Sequence, residues 1–170
     1  MDEIDVLGIP VPDAGLLFFA ALAVHVTAGL TCVGCGAVAA LARKGRARHL
    51  RFGRIYLWGL VVVWVSMAVL SVIRWRENAH LFAVGTLALA VALVGYTLRR
   101  RRPYLHIAGM GASYIALLTG FYLDNGPHLP LWERLPGWSH GVLPSLVGLP
   151  LSARAIWRRR PARTQRKATS

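Results

Sequence analysis

Acidic residues are scarce in this 170-residue chain. Asp and Glu together number seven, against 20 Lys and Arg, so the formal net charge is +13. The sequence contains no Asp-rich motif, and Asp124 is the single carboxylate that closes a long apolar block. This scarcity argues against an enzyme that holds a diphosphate substrate through metal ions bound to carboxylates.

Cysteine is also rare, since Cys32 and Cys35 are the two thiols of the chain. They form a Cys-x-x-Cys pair inside an apolar block, near an end that we expect on the cytoplasmic side, where thiols stay reduced. We therefore expect no structural disulfide. A zinc site usually draws on a second Cys-x-x-Cys or a His-x-x-x-His, and the sequence has neither.

The first 13 residues contain four acids and no basic residue. A secretory signal peptide begins with a positively charged region, so this segment does not have that character. We expect the apolar block that follows to remain in the protein as a membrane span.

Long apolar blocks dominate what is present. Hydrophobic residues make up 55% of the chain, and about 20 consecutive apolar residues are enough for a helix to cross the roughly 30 Å hydrocarbon layer. This predicts an all-α integral membrane bundle, a single domain over residues 1–157, with about five transmembrane helices. The predicted spans are about 14–41, 55–73, 79–98, 105–123 and 139–157. Pro144 and Pro150 interrupt the last one, which we interpret as a kinked span; a re-entrant segment with four full spans is the alternative.

The distribution of charge predicts the orientation. Lys and Arg in short loops are retained on the cytoplasmic side. Seventeen of the 20 basic residues lie in the connectors after the first and third blocks and at the carboxyl end, whereas all seven acids lie on the other side. We expect the amino terminus outside, a disordered basic tail over 158–170 in the cytoplasm, and location in a bacterial inner membrane. The lipid bilayer, with anionic headgroups at the cytoplasmic face, then accounts for the positive charge without nucleic acid.

His25 is the ionisable residue that lies deepest in a predicted span. It shares one helical face with Gly29, Cys32 and Gly36. Small residues on one face are typical of a helix-packing seam. The alternative is that His25 is a ligand or proton carrier that faces the interior of the bundle.

Three groupings could bind a cofactor. Cys32 and Cys35 should lie level with His106, which allows a metal site. A haem b could be held between His25 and either His80 or His140. At the outer face His80, His140 and Asp124 could bind a transition metal or perform acid–base chemistry.

Several stretches resemble an uncharacterised group of small bacterial multi-pass membrane proteins, of the domain-of-unknown-function type. They cover residues 43–56, 106–126, 129–136 and 143–151. The shared loop pattern is matched by Lys44, Gly45, His49, Gly53, Arg54 and Tyr56, and a later span that begins with histidine is matched by His106. The resemblance implies the same multi-pass topology and marks His49 and His106 as a pair at the cytoplasmic face.

Three classes of function fit these features. We favour a protein with a histidine-ligated cofactor or metal, active in electron transfer or in assembly of a respiratory enzyme. The second class is a non-catalytic accessory subunit that packs against another membrane protein. The third is a membrane-embedded enzyme that acts on a lipid or isoprenoid, with Asp124 and His140 as acid and base.

Overall fold

The structure, a computed structural model, describes residues 3–6, 9–12, 15–43, 46–129 and 134–158. These ranges contain a short antiparallel hairpin, five α-helices and one 3-10 turn. In chain order the elements are β1 (Glu3–Val6), β2 (Ile9–Pro12), α1 (Gly15–Leu41), α2 (Ala47–Ile73), α3 (Trp75–Thr97), α4 (Pro103–Asn125), the 3-10 turn Gly126–His128 and α5 (Gly137–Trp157). The predicted helical class is confirmed, while the hairpin was not predicted. The predicted disordered tail lies, from residue 159 onward, outside the described residues.

Four of the helices can cross a bilayer. Helices α1 and α2 have 27 residues each, about 40 Å at 1.5 Å per residue, and α3 and α4 have 23. All four are long and apolar enough to span the hydrocarbon layer, which indicates a multi-pass protein embedded in a membrane. Helix α5 has 21 residues but is not among these four, because its polar residues and prolines lower its hydropathy. The five-span prediction is thus supported for four helices, and a fifth crossing stays a prediction.

Helix α2 begins eight residues before the predicted span. Five of the extra residues, 47–54, are Arg, Ala or Leu (three Arg, one Ala and one Leu), which have high helix propensity, so the helix continues beyond its apolar part. Helix α4 begins with Pro103, which is favourable at the first helical position because its missing N–H has no partner there. A single residue, Arg74, separates α2 from α3. The side-chain amide of Asn78 covers the end of α2 by donating to the Leu70 carbonyl at 3.1 Å.

The chain divides into two compact units, residues 1–83 and 84–170, with the boundary inside α3. In the first unit α1 and α2 pack as an antiparallel pair. Phe18 lies in one buried cluster with Met67 and Leu70, and direct contacts join His25 with Val63, Cys32 with Tyr56 and Ala39 with His49. Contacts therefore recur every seven residues on each helix, as in helices that cross at a small angle with coiled-coil-like packing.

In the second unit α3 and α4 approach each other through glycines. A Cβ atom placed on Gly109 would lie 2.8 Å from the Gly95 Cα and 2.7 Å from the Val91 carbonyl oxygen. Only glycine fits at such a backbone-to-backbone contact. Helix α5 also packs closely on α4, since a Cβ atom on Gly148 would overlap the side chain of Ile115. The second unit is thus held together by close contacts at small residues, a common arrangement of membrane helices.

Candidate functional site

The side chain of His25 is turned toward α2. It lies ten residues after the start of α1, about 15 Å along the helix axis, and its ring is half-buried. Its Nδ1 atom is 3.2 Å from the Val63 carbonyl oxygen and 3.1 Å from the Ser66 Oγ. The Ser66 hydroxyl in turn donates to the Val62 carbonyl at 2.8 Å. The imidazole is thus held against a neighbouring helix deep within the longest apolar part of the chain.

The contact with Val63 indicates one tautomer of His25. A carbonyl oxygen can only accept, so the contact with Val63 requires the proton on Nδ1. The Ser66 hydroxyl lies 2.8 Å from the Val62 carbonyl oxygen and 3.0 Å from the Val63 carbonyl oxygen, and donation to either leaves the Ser66 oxygen as a second acceptor for Nδ1–H. In the neutral ring Nε2 is then the atom that carries the lone pair.

His49, near the start of α2, and His106, near the start of α4, make the same type of contact with the end of the preceding helix. The His49 Nδ1 donates to the Ala39 carbonyl at 2.9 Å, and the His106 Nδ1 donates to the Gly95 carbonyl at 3.0 Å. Each acceptor is the third residue from the end of its helix, where carbonyls have no partner within the helix. Each histidine therefore closes one helical pair at its connector. His49 belongs to the first unit and His106 to the second, so their action as a pair stays a prediction.

Cys32 lies in the packed interface between α1 and α2. It is completely buried, and its Sγ donates to the Tyr56 carbonyl at 3.6 Å. A Cβ atom on Gly59 would lie 2.7 Å from the same sulfur, so Cys32 occupies space that only glycine leaves open. Cys35 is half-buried, and both thiols are free. Of the predicted seam, Cys32 makes this close contact, whereas a Cβ atom on Gly29 would meet nothing within 4 Å.

The predicted outer site draws on both units. His80 is exposed on the part of α3 that belongs to the first unit, while Asp124 and His140 belong to the second. Asp124 is exposed at the end of α4, whereas His140 is 4% exposed near the start of α5. The His140 ring packs against Gly126, two residues after Asp124, because a Cβ atom on that glycine would lie 2.7 Å from the ring. The second unit thus places the ends of α4 and α5 that carry Asp124 and His140 beside each other.

Among the residues that the structure describes, no group of three or more His, Cys, Asp or Glu side chains could hold a metal ion. The Cys32, Cys35 and His106 grouping and the His80, His140 and Asp124 grouping each combine residues of both units. A shared ligand at either grouping, like a haem between His25 and His140, stays a prediction. His25 and His80 lie in the same unit.

Sequence reasoning missed the carbonyl partners of the histidines, which are Val63, Ala39 and Gly95. For the first unit a signal was present. Phe18, His25, Cys32 and Ala39 are spaced by seven residues, and so are His49, Tyr56, Val63 and Leu70. Once one contact is known, this spacing places the others, because steps of seven residues stay on one helical face.

The chain matches no protein-family model, and no curated protein or solved structure is significantly similar to it.

Proposed function

We propose that the protein is a multi-pass protein of a bacterial cytoplasmic membrane that binds a haem b or a transition-metal ion through His25. The observation that carries the proposal is the hydrogen bond from His25 Nδ1 to the Val63 carbonyl. Metal-ligating histidines almost always donate their second ring N–H to a carbonyl, carboxylate or water, which orients the ring. With the proton on Nδ1, Nε2 is the nitrogen of His25 that carries the lone pair and would bind the metal.

The depth of His25 supports this proposal. About 15 Å from the start of α1 is close to the middle of a roughly 30 Å hydrocarbon layer, where an ionisable residue is costly and usually functional. His80 is the second residue that we propose would hold the cofactor, because it lies in the same unit as His25. A haem or a redox-active metal there would supply a one-electron redox centre, which suits electron transfer or assembly of a respiratory enzyme.

We propose that the amino terminus faces outward and the carboxyl end faces the cytoplasm. The proposal rests on the segregation of 17 basic residues from all seven acids, and it requires an odd number of crossings, with α5 as the fifth. A fluorescent protein that matures only in the cytoplasm, fused after Ser170, should be bright. A periplasmic reporter that is active at the same position would contradict the orientation.

The cofactor proposal is tested by the absorption spectrum and metal content of the purified full-length protein. We expect either a Soret band or a stoichiometric transition metal in the wild type, and a marked loss of that signal in His25→Ala. His128→Ala is the matched control, because His128 is exposed in the 3-10 turn and should leave the signal unchanged. A wild-type protein with neither chromophore nor metal would contradict the proposal.

A specific observation favours a second candidate, the non-catalytic accessory subunit. His25, His49 and His106 each bond to a backbone carbonyl of an adjacent helix, a contact that stabilises packing without any ligand. For this candidate a wild-type protein without chromophore or metal is the expected result. Its His25→Ala variant should then differ in thermal stability alone.

A further inference from the structure

A shallow apolar groove runs along the first unit between α1 and α2. Its volume is about 740 Å³, and it is open along its side. Its lining includes Ala23, Thr27 and Thr31 of α1 and Arg54, Trp58 and Val62 of α2. We propose that this groove, called the α1–α2 groove below, binds one acyl chain of an anionic phospholipid whose phosphate is held by Arg54. The inference needs the membrane location of the protein but not a cofactor at His25.

The walls of the α1–α2 groove are suited to hydrocarbon. Its two hydroxyl groups are internally satisfied, since Thr27 donates to the Ala23 carbonyl and Thr31 donates to the Thr27 carbonyl, both at 2.8 Å. They therefore require no hydrogen bond from a ligand. A polar ligand would form few hydrogen bonds with such walls, whereas an acyl chain needs none.

The length of the α1–α2 groove matches one leaflet. From Ala23 to Thr31 on α1, and from Arg54 to Val62 on α2, each wall is about 12 Å long at 1.5 Å per residue. Half of the roughly 30 Å hydrocarbon layer is about 15 Å. The groove therefore accommodates a chain from one leaflet, with Arg54 at the end nearest the basic connector.

Charge identifies the occupant. Arg54 is exposed and, among the described residues, is the one charged side chain that lines the groove. Trp58 lies one turn further along α2 on the same face and is 71% exposed, as is usual for tryptophan near the headgroup region. A cation at the mouth of an apolar groove complements a phosphate attached to an acyl chain. A second copy of this chain, with its net charge of +13, would instead bring more positive charge to Arg54.

The test uses native mass spectrometry of the full-length protein, titrated with phosphatidylglycerol or with phosphatidylcholine of the same acyl chains. We expect the wild type to bind one phosphatidylglycerol about fivefold more tightly than phosphatidylcholine, the factor typical of one basic residue near the surface. Arg54→Gln should abolish this preference. Arg51→Gln is the matched control, because Arg51 is exposed one turn earlier on α2 but does not line the groove, and it should retain most of the preference.

A groove-filling variant tests the acyl-chain part. Thr27→Leu places a larger apolar side chain in the groove and should weaken binding of both lipids. Equal binding of the two lipids by the wild type would overturn the proposal, and so would an equal loss of preference in Arg51→Gln and Arg54→Gln. Dimers in the wild type that dissociate in Thr27→Leu would also overturn it, since the groove would then be an interface between copies. If Thr27→Leu does not fold, the comparison of the two arginine variants still decides.

Discussion

The helical pairs α1/α2 and α3/α4 both pack closely at glycines, but different kinds of atom lie against those glycines in the two pairs. In both pairs a histidine near the start of the second helix bonds to a carbonyl near the end of the first. Where Gly59 of α2 faces α1, the nearest atom to a Cβ placed on it is the Cys32 sulfur, which belongs to a side chain. At the closest approach of α3 and α4 the atoms that face Gly109 belong to the backbone of Val91 and Gly95. A side chain can rotate or be shortened, whereas a backbone atom moves only with its helix, so the second pair should tolerate less change.

The largest effect is expected for Gly109→Ala. The new Cβ atom would lie 2.7 Å from the Val91 carbonyl oxygen, so α3 and α4 must move apart. We expect a loss of about 2–3 kcal/mol in the free energy of unfolding, measured as a lower midpoint in thermal or SDS unfolding in detergent. Gly85→Ala on α3 is the control, because its Cβ atom would meet nothing within 4 Å and alanine raises helix propensity. Equal midpoints for the two variants would contradict the close approach.

A smaller effect is expected when the histidines that close the two pairs are replaced. His49→Ala and His106→Ala each leave a helix-end carbonyl without its side-chain donor, at a cost of about 1–2 kcal/mol. Asparagine places its amide where Nδ1 lies, whereas glutamine places it nearer to Nε2. The Asn variants should therefore unfold at higher temperature than the Gln variants at both positions. If the order is reversed at one position, the hydrogen bond does not stabilise that pair.

The smallest loss of stability is expected for a substitution at Gly59, and a second substitution at Cys32 should suppress it. Gly59→Ala brings a Cβ atom to 2.7 Å from the Cys32 sulfur and should cost about 1 kcal/mol. Cys32→Ala removes the sulfur, so Gly59→Ala should cost much less in the Cys32→Ala background than in the wild type. A double-mutant cycle on unfolding midpoints measures this coupling. Additive effects would show that the sulfur is not the obstacle, and the contrast with Gly109 would disappear.

Much of the helical structure could be predicted because a membrane span needs little more than length and apolar composition. The helix boundaries were harder to predict from the sequence. Helix α2 begins at Ala47 because arginine and alanine favour helix as readily as leucine does, and hydropathy alone does not register that preference. The hairpin formed by β1 and β2 was missed, since four-residue strands carry too little periodicity to be recognised.

The candidate site was less predictable than the fold. His25 could be chosen from the sequence, because it is an ionisable residue within a long apolar block. Its partner could not, because the acceptor is the main-chain carbonyl of Val63, an atom that every residue possesses. The same holds for His49 and His106, whose acceptors are the carbonyls of an alanine and a glycine.

By itself the sequence determined that this chain forms long apolar helices joined by basic connectors, since composition and length decide whether a segment is stable in hydrocarbon. It also determined which side chains could carry chemistry. Only the tertiary structure decided that Cys32 faces Gly59, that Gly95 meets Gly109, and that the histidines bond to main-chain carbonyls. The physical reason is that such contacts depend on the rotation and axial offset of one helix against another. Those two quantities are set by many small packing energies from residues far apart in the chain.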